Sequence, residues 1–219
     1  MISQPELGPN ELLISTIRHG LTELNRTKRT GGRTDVPLIE PGRMQAREAC
    51  TAFAGTPFDV AYASPLKRAI ETAQLVAGVA PPQLCIDELC TERSFGDMEG
   101  LTRAEIVERL PQVNYVPIAG VHYSLNPPGG ETFAEVHARA RLFFAKLLAG
   151  QRGRRVLVFS HQNFLQQLHA VMRGRDELQA LESDILNCEL NQFHIGAGGE
   201  LRAHQTVQLC KDANAYPSF

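Results

Sequence analysis

The stretch Leu12-Leu13-Ile14-Ser15-Thr16-Ile17-Arg18-His19-Gly20 decides the fold of this chain. Residues 12–17 form a short apolar run that is typical of a buried β-strand, and Arg18, His19 and Gly20 follow where the run stops. Two later runs repeat this arrangement. Residues 60–63 are followed by Ser64-Pro65, and residues 155–159 are followed by Ser160-His161. The sequence therefore predicts three buried strands with polar residues at their carboxyl ends.

Helix-period segments separate these strands. Ser64 as N-cap and Pro65 at the first helical position predict one helix, which we expect to end at Gly78. A second helix begins at Thr132 and Glu135, which have the spacing of a capping box. A third precedes residue 174, and residues 188–195 and 201–207 are expected to form a hairpin. Strands alternating with helices predict an α/β fold, a three-layer α/β/α sandwich around a mostly parallel sheet.

The 219 residues are enough for a single domain spanning residues 1–219. The stretch from about 101 to 130 contains four prolines and is expected to be irregular. We interpret it as an insertion that lies over the active site at one edge of the sheet.

Composition excludes several classes of function. The net charge of −2 gives no field that would hold nucleic acid. Five cysteines, with no C-x-x-C pair, suggest neither a disulfide framework nor a zinc site. The first residues lack the basic and apolar regions of a secretory signal, and no apolar run reaches the length of a membrane span. We expect a cytoplasmic protein that binds no membrane and needs no metal or cofactor, and a homodimer stays open.

The polar residues at the strand ends are candidates for chemistry. Ligands of open α/β sheets bind beyond the carboxyl ends of the strands, so His19, His161, Arg18 and Arg68 are expected to share one pocket. Arginine presents planar charged donors that suit the oxygens of a phosphoryl group. From the residues alone, structural histidines and a solvated Arg68 stay open as alternatives.

Six ordered motifs connect this chain with a known family. They are Arg18-His19-Gly20-x-Thr22-x-x-Asn25, Gly32-Arg33-x-Asp35-x-Pro37-Leu38-x-x-x-Gly42-x-x-Gln45-Ala46, Ser64-Pro65-Leu66-x-Arg68-Ala69-x-x-Thr72-Ala73, Glu92-Arg93-x-Phe95-Gly96-x-x-Glu99-Gly100, Pro128-Gly129-Gly130-Glu131 and Ser160-His161. Together they span about residues 12–170, and the series resembles the histidine phosphatase superfamily, the phosphoglycerate-mutase-like enzymes.

The resemblance implies a role for each matching residue. His19 would be the nucleophile that becomes a phosphohistidine, and Glu92 the general acid and base. Arg18, Arg68 and His161 would contact the phosphoryl oxygens. The remaining candidates for phosphate or substrate binding are Thr22, Asn25, Arg33 and Gln162.

This chain departs from the family pattern at two positions. Gln162-Asn163 follows the second histidine where Gly-Gly is common, and Met98 stands where an aromatic residue is common. In the family that this chain resembles, cofactor-dependent mutases carry a longer insertion after the Glu92 position, so the resemblance with only 38 residues between Glu92 and Glu131 favours a phosphatase. We therefore expect hydrolysis of a small phosphorylated metabolite. Mutase-type phosphoryl transfer and a non-catalytic phospholigand-binding protein are kept as alternatives.

Two groups of residues outside the motifs are further candidates for substrate contacts. The basic loop, which contains Arg26, Lys28, Arg29 and Arg33, would either attract a second anionic group or be a solvated loop. Tyr115, His122 and Tyr123 of the insertion would contact substrate or serve packing.

Overall fold

The computed structural model of this chain describes residue 2 and residues 4–211. Within them lie eight strands: β1 (Leu12–Arg18), β2 (Val60–Ala63), β3 (Leu84–Ile86), β4 (Tyr115–Ile118), β5 (Val121–Ser124), β6 (Arg155–Ser160), β7 (Glu189–Ile195) and β8 (Leu201–Gln208). The same residues form six α-helices: α1 (Glu23–Arg26), α2 (Glu40–Phe53), α3 (Lys67–Ala77), α4 (Arg103–Arg109), α5 (Phe133–Gly150) and α6 (Gln162–Arg173). Across this described part of the chain, no helix has the length and apolar character needed to span a membrane.

The central sheet has six strands in the order β3-β2-β6-β1-β7-β8. The pairs β3–β2, β2–β6 and β6–β1 are parallel, whereas β1–β7 and β7–β8 are antiparallel. The predicted α/β fold with a mostly parallel sheet is therefore confirmed. The parallel strands β1 and β6 are neighbours, so their carboxyl ends meet at one edge.

Side chains alternate between the two faces of the sheet and produce two apolar layers. In β6, Val156 and Val158 pack with α5 and α6, while Leu157 and Phe159 pack with α2 and α3. All four side chains are buried. Burial of both faces explains why the parallel strands are continuous apolar runs rather than alternating ones.

The predicted start of the helix that follows β2, with Ser64 as N-cap and Pro65 as its first residue, is wrong. Helix α3 begins at Lys67, with Leu66 as an N-cap that makes no side-chain capping bond. Ser64 lies outside the helix because its hydroxyl bonds the Nε2 atom of His161, at 2.7 Å. The Ser64 side chain makes this long-range contact and does not cap the helix.

The stretch 101–130 is more regular than predicted. It contains α4, which begins at a capping box of Thr102 and Glu105, and the antiparallel hairpin β4–β5. Apolar side chains of this stretch form their own small cluster, in which Ile106 and Val113 pack on Met98. The insertion therefore has its own secondary structure and its own packing.

Candidate active site

The carboxyl ends of β1 and β6 bring His19 and His161 together. The backbone N–H of His19 donates to the carbonyl of Ser160, at 3.0 Å, and extends the strand pairing by one residue. The two imidazole centroids are 5.1 Å apart. A cavity opens beside them, and its wall includes Arg18, His19 and Arg68.

The turn after His19 depends on a close backbone approach. A Cβ atom on Gly20 would lie 2.6 Å from the carbonyl oxygen of Gly42 in α2, so only glycine fits there. The Gln45 amide oxygen accepts the N–H of Leu21, at 2.9 Å. These contacts explain why glycines and a glutamine belong to the motif although none of them reaches the cavity.

His19 is held in one tautomer. Its Nδ1 lies 2.7 Å from the carbonyl oxygen of Gly20, and because a carbonyl can only accept, Nδ1 carries the proton. The Nε2 atom therefore keeps its lone pair. Burial, followed by the charges of Arg68 and Arg18, lowers the pKa of His19 well below its ordinary value. At neutral pH the side chain is an uncharged nucleophile.

Both ring nitrogens of His161 are engaged by neighbouring side chains. The Nε of Arg68 donates to Nδ1, at 3.1 Å, so the ring proton lies on Nε2 and points to the Ser64 hydroxyl. Burial and the charge of Arg68 lower the pKa of His161 well below its ordinary value. The ring is fully buried behind Arg68 and is not part of the cavity wall. Its direct contact with a phosphoryl oxygen stays a prediction.

Arg68 is fixed by three partners. Besides its bond to His161, it donates to the carbonyls of Thr34 and Gly32, at 2.8 and 2.7 Å. A guanidinium has five N–H groups, so two are left over once these bonds within residues 4–211 are made. Burial lowers the pKa of Arg68 to about 10, and the group stays charged at neutral pH.

Arg18 is the second buried cation of the site. It donates from Nη1 to the carbonyl of Ile185, at 2.5 Å. Burial lowers its pKa, and the charges of Asp184, Glu92 and Glu189 oppose that shift. Two guanidinium groups at the end of β1 and the start of α3 make this end of the cavity electropositive.

Glu92 lines the cavity and also holds the start of α6. Its Oε1 accepts the N–H groups of Arg93 and Phe164, at 2.8 and 3.2 Å, and its Oε2 lies 3.4 Å from the N–H of Asn163. The N-cap residue of α6, His161, makes no side-chain capping bond itself. The carboxylate therefore caps this helix across the chain, a role that the sequence did not predict.

Asn25 and Gln162, the two predicted amide residues, both line the cavity but have different hydrogen-bond partners. Thr22 and Asn25 form a capping box around α1, in which the Thr22 hydroxyl donates to Asn25 Oδ1 at 2.8 Å. The Thr22 hydroxyl is therefore committed to that cap, although both residues line the cavity. Gln162 lines it too and donates from Nε2 to Asp184, at 2.8 Å.

Of the basic loop, Arg29 lines the cavity, whereas Arg26, Lys28 and Arg33 do not. Arg33, predicted to bind substrate, instead pairs with Glu131 at 3.2 Å and lies outside the cavity wall. Arg26 pairs with Glu23 on the surface. Arg29 lines the cavity but is paired with Glu105, at 2.8 Å. Each of these three arginines is thus paired with a carboxylate.

The insertion supplies part of the cavity wall. Tyr115, His122 and Tyr123 all line the cavity. The hydroxyl of Tyr123 donates to the carbonyl of Leu181, at 3.2 Å, and is tied to the interior. His122 is exposed.

Sequence reasoning missed one residue that holds the nucleophile. Asn187 is buried and donates from Nδ2 to the carbonyl of His19, at 2.6 Å. It comes just before the predicted hairpin, and an asparagine at that point is equally typical of a turn. No local pattern connects it with residue 19, because the two lie at distant points of the chain.

Comparison with known proteins identifies relatives of this chain. A family model described as histidine phosphatase superfamily (branch 1) matches residues 14–208. A 2,3-bisphosphoglycerate-dependent phosphoglycerate mutase of Parvibaculum lavamentivorans is 35% identical over 184 residues, covering 81% of this chain and 86% of the mutase. The bifunctional protein Rv2228c of Mycobacterium tuberculosis is 33% identical over 205 residues, or 92% of this chain and 55% of that protein. This chain therefore spans about half the length of the latter relative.

Solved structures share the fold. A crystal structure assigned to an alpha-ribazole-5′-P phosphatase of Escherichia coli K-12 has a TM-score of 0.77 at 25% identity, covering 92% of this chain and 97% of the other. Mycobacterial glucosyl-3-phosphoglycerate phosphatase Rv2419c, in complex with VO3, has a TM-score of 0.73 at 25% identity, covering 89% and 96%. The likeness therefore covers about nine-tenths of this chain.

Proposed function

The chain belongs to the histidine phosphatase superfamily, branch 1, and from that membership we propose that it hydrolyses small phosphomonoesters through a phosphohistidine on Nε2 of His19. The observation that carries the proposal is the state of His19. Its Nδ1–H is held by the Gly20 carbonyl, which leaves the lone pair on Nε2, and the residue lines a cavity that Arg18 and Arg68 make electropositive.

The first step transfers the phosphoryl group to the enzyme. Nε2 of His19 attacks phosphorus while the bond from phosphorus to the ester oxygen breaks, and the carboxyl of Glu92 gives the leaving oxygen its proton. The phosphorylated ring carries a positive charge, which the Gly20 carbonyl stabilises through Nδ1–H. The guanidinium groups of Arg18 and Arg68 stabilise the charge on the transferring oxygens from fixed positions.

The second step returns the enzyme to its starting state. The Glu92 carboxylate takes a proton from a water molecule, whose oxygen attacks phosphorus as the bond to Nε2 breaks. Inorganic phosphate leaves, and Glu92 is again protonated for the next cycle. His161 positions Arg68 in this scheme, since it accepts the Nε–H of that arginine.

Phosphoryl transfer between two positions of one metabolite is the second candidate. It is favoured by the 35% identity with the bisphosphoglycerate-dependent mutase. The structures of two phosphatases, each covering about nine-tenths of this chain, support hydrolysis instead. In the proposed hydrolysis Arg18 and Arg68 supply the positive charge, and we propose that the reaction needs no metal ion.

One experiment separates these functions. Purified protein is assayed for phosphate release from phenyl phosphate with and without a chelator, and for isomerisation of 3-phosphoglycerate in the presence of 2,3-bisphosphoglycerate. We expect phosphate release that the chelator does not change and that His19→Ala abolishes. Isomerisation faster than phosphate release would assign the chain to the mutases, and absence of both activities would favour a binding protein.

A further inference from the structure

Three buried polar atoms of residues at the hairpin end of the cavity make no hydrogen bond within the described residues. They are Nη1 of Arg93, Oγ of Ser124 and the hydroxyl of Tyr115. Arg93 is fully buried and Ser124 is 4% exposed. Buried polar atoms are nearly always paired, because leaving one unpaired costs free energy, so these atoms call for an explanation.

The three groups lie side by side. Ser124 and Tyr115 are directly opposite each other in the β4–β5 hairpin, so their side chains are on the same face. The Nη2 atom of Arg93 donates to the Ser124 carbonyl, at 2.8 Å, which places the guanidinium at the end of that hairpin. Arg93 also follows Glu92 directly. Glu92, the proposed general acid, lines the same cavity.

The charge of Arg93 has no carboxylate partner within ion-pair distance among residues 4–211. Its guanidinium carbon lies 3.8 Å from the ring centroid of Phe133 and 5.0 Å from that of Phe95, and its Nε donates to a backbone carbonyl, that of Glu131. Burial lowers the pKa of Arg93 to about 10, so it remains a cation at neutral pH. A bound acceptor oxygen would complete its hydrogen bonding.

The size and lining of the cavity indicate what it admits. Its volume is about 150 Å³, comparable to that of a protein cavity that binds benzene. Met98, Ile106 and Phe95 supply apolar wall next to the three polar groups. A compact carbon skeleton with oxygens on one side would satisfy both parts of the wall.

We propose that Arg93, Ser124 and Tyr115 form a leaving-group subsite that binds acceptor oxygens of the substrate alcohol and so determines which esters are preferred. The inference rests on the proposed phosphatase function, because only the ester's alcohol portion would extend past Glu92. Hydroxyl and carboxylate oxygens share the required chemistry, since both accept hydrogen bonds from these donors.

Three esters with one carbon skeleton test the subsite. Isopropyl phosphate, glycerol 2-phosphate and 2-phosphoglycerate all carry the phosphate on the central carbon of three. The first lacks further oxygens, the second adds two hydroxyls, and the third adds one hydroxyl and one carboxylate. We expect kcat/KM to rise roughly tenfold or more over isopropyl phosphate for at least one oxygenated ester. A rise for glycerol 2-phosphate identifies hydroxyl recognition, and a rise confined to 2-phosphoglycerate identifies carboxylate recognition.

Two variants connect that preference with the subsite. Ser124→Ala and Tyr115→Phe should each reduce the preference, measured as the ratio of kcat/KM for the oxygenated ester to that for isopropyl phosphate, roughly three- to tenfold. Because each removes an atom without a partner, Tm should stay the same or rise. Tyr62→Phe is the matched control: the Tyr62 hydroxyl bonds Gln151 outside the cavity wall, so the substrate preference should not change.

Two different failures are distinguishable. If none of these esters nor phenyl phosphate is hydrolysed, the phosphatase function itself is wrong. If the esters are hydrolysed with equal kcat/KM, or if both variants keep the wild-type preference, only the subsite is wrong. A fall in Tm with unchanged preference would assign the two side chains to the fold and would also overturn the proposal.

Discussion

The two ends of the cavity differ in how their polar groups are held. At the phosphoryl end, which contains His19, Arg68 and His161, ring and guanidinium nitrogens are fixed by carbonyls, by a hydroxyl and by one another. At the hairpin end, Ser124 and Tyr115 have buried hydroxyls that make no bond within residues 4–211. We infer that the groups at the phosphoryl end are preorganised for catalysis. The groups at the hairpin end would complete their hydrogen bonds only when the substrate alcohol is bound.

The most severe test of the phosphoryl end is His19→Ala. We expect kcat for phenyl phosphate to fall on the order of 10⁴-fold or more, because no other side chain supplies the attacking nitrogen. Steady-state kinetics would measure this, with His137→Ala, outside the cavity wall, as a control that stays within about twofold. Activity of His19→Ala close to wild type would show that His19 is not the nucleophile and would contradict the catalytic role of the phosphoryl end.

A second test asks whether charge alone is enough at this end. Arg68→Lys keeps a cation but cannot reach the Thr34 and Gly32 carbonyls and His161 together. We expect kcat/KM to fall roughly 10²-fold, with a lower Tm, because a buried network loses a partner. Near-wild-type kinetics for Arg68→Lys would contradict the importance of fixed geometry and leave only electrostatic attraction.

Glu92 lies where the two ends meet, and its effect should depend on the substrate. Glu92→Gln keeps one acceptor oxygen for the start of α6 but cannot give up a proton. We expect roughly a 10²-fold loss with alkyl phosphates and a much smaller loss with a nitrophenyl ester, whose oxygen leaves without protonation. A plot of log kcat/KM against leaving-group pKa would show the change of slope, and parallel lines for the two enzymes would assign the acid role elsewhere.

The smallest effect concerns stability against pH. The pKa values of His19, His161 and also of His169, which bonds Thr16 outside the cavity wall, are held well below the ordinary value by burial. Unfolded histidines bind protons below about pH 6.5 while the folded ones do not, so this stability is complete above pH 6.5 and is lost as the pH falls.

Each of these histidines should contribute a slope of about 1.4 kcal/mol per pH unit below that point, measured by urea unfolding between pH 7 and pH 5. His169→Gln should remove one such contribution without changing the pH dependence of kcat/KM. An unfolding free energy that does not change between pH 7 and pH 5 would contradict this prediction. It would show that the three histidines also bind protons in the folded protein.

Much of the fold could be predicted from local patterns. The capping box at Thr132, the apolar face of α5 and the buried runs before His19 and His161 are all local signals, and the structure contains each of them. The start of α3 could not be predicted, because Ser64 bonds a histidine 97 positions away.

The candidate site was harder to predict from the sequence than the fold. Motifs predicted that His19, Arg68 and Glu92 would meet, but they did not show that Glu92 caps α6 or that Arg33 is drawn away by Glu131. Nor could the prolines of residues 101–130 reveal a hairpin, whose register depends on cross-strand packing. Each of these outcomes is decided by partners distant in sequence.

The bond from the His19 N–H to the Ser160 carbonyl has a wider consequence. It makes the spacing of the two imidazoles a property of the sheet ladder, so loops elsewhere can lengthen, shorten or change composition without altering that spacing. The hairpin β4–β5 can therefore change in sequence without altering the spacing of His19 and His161.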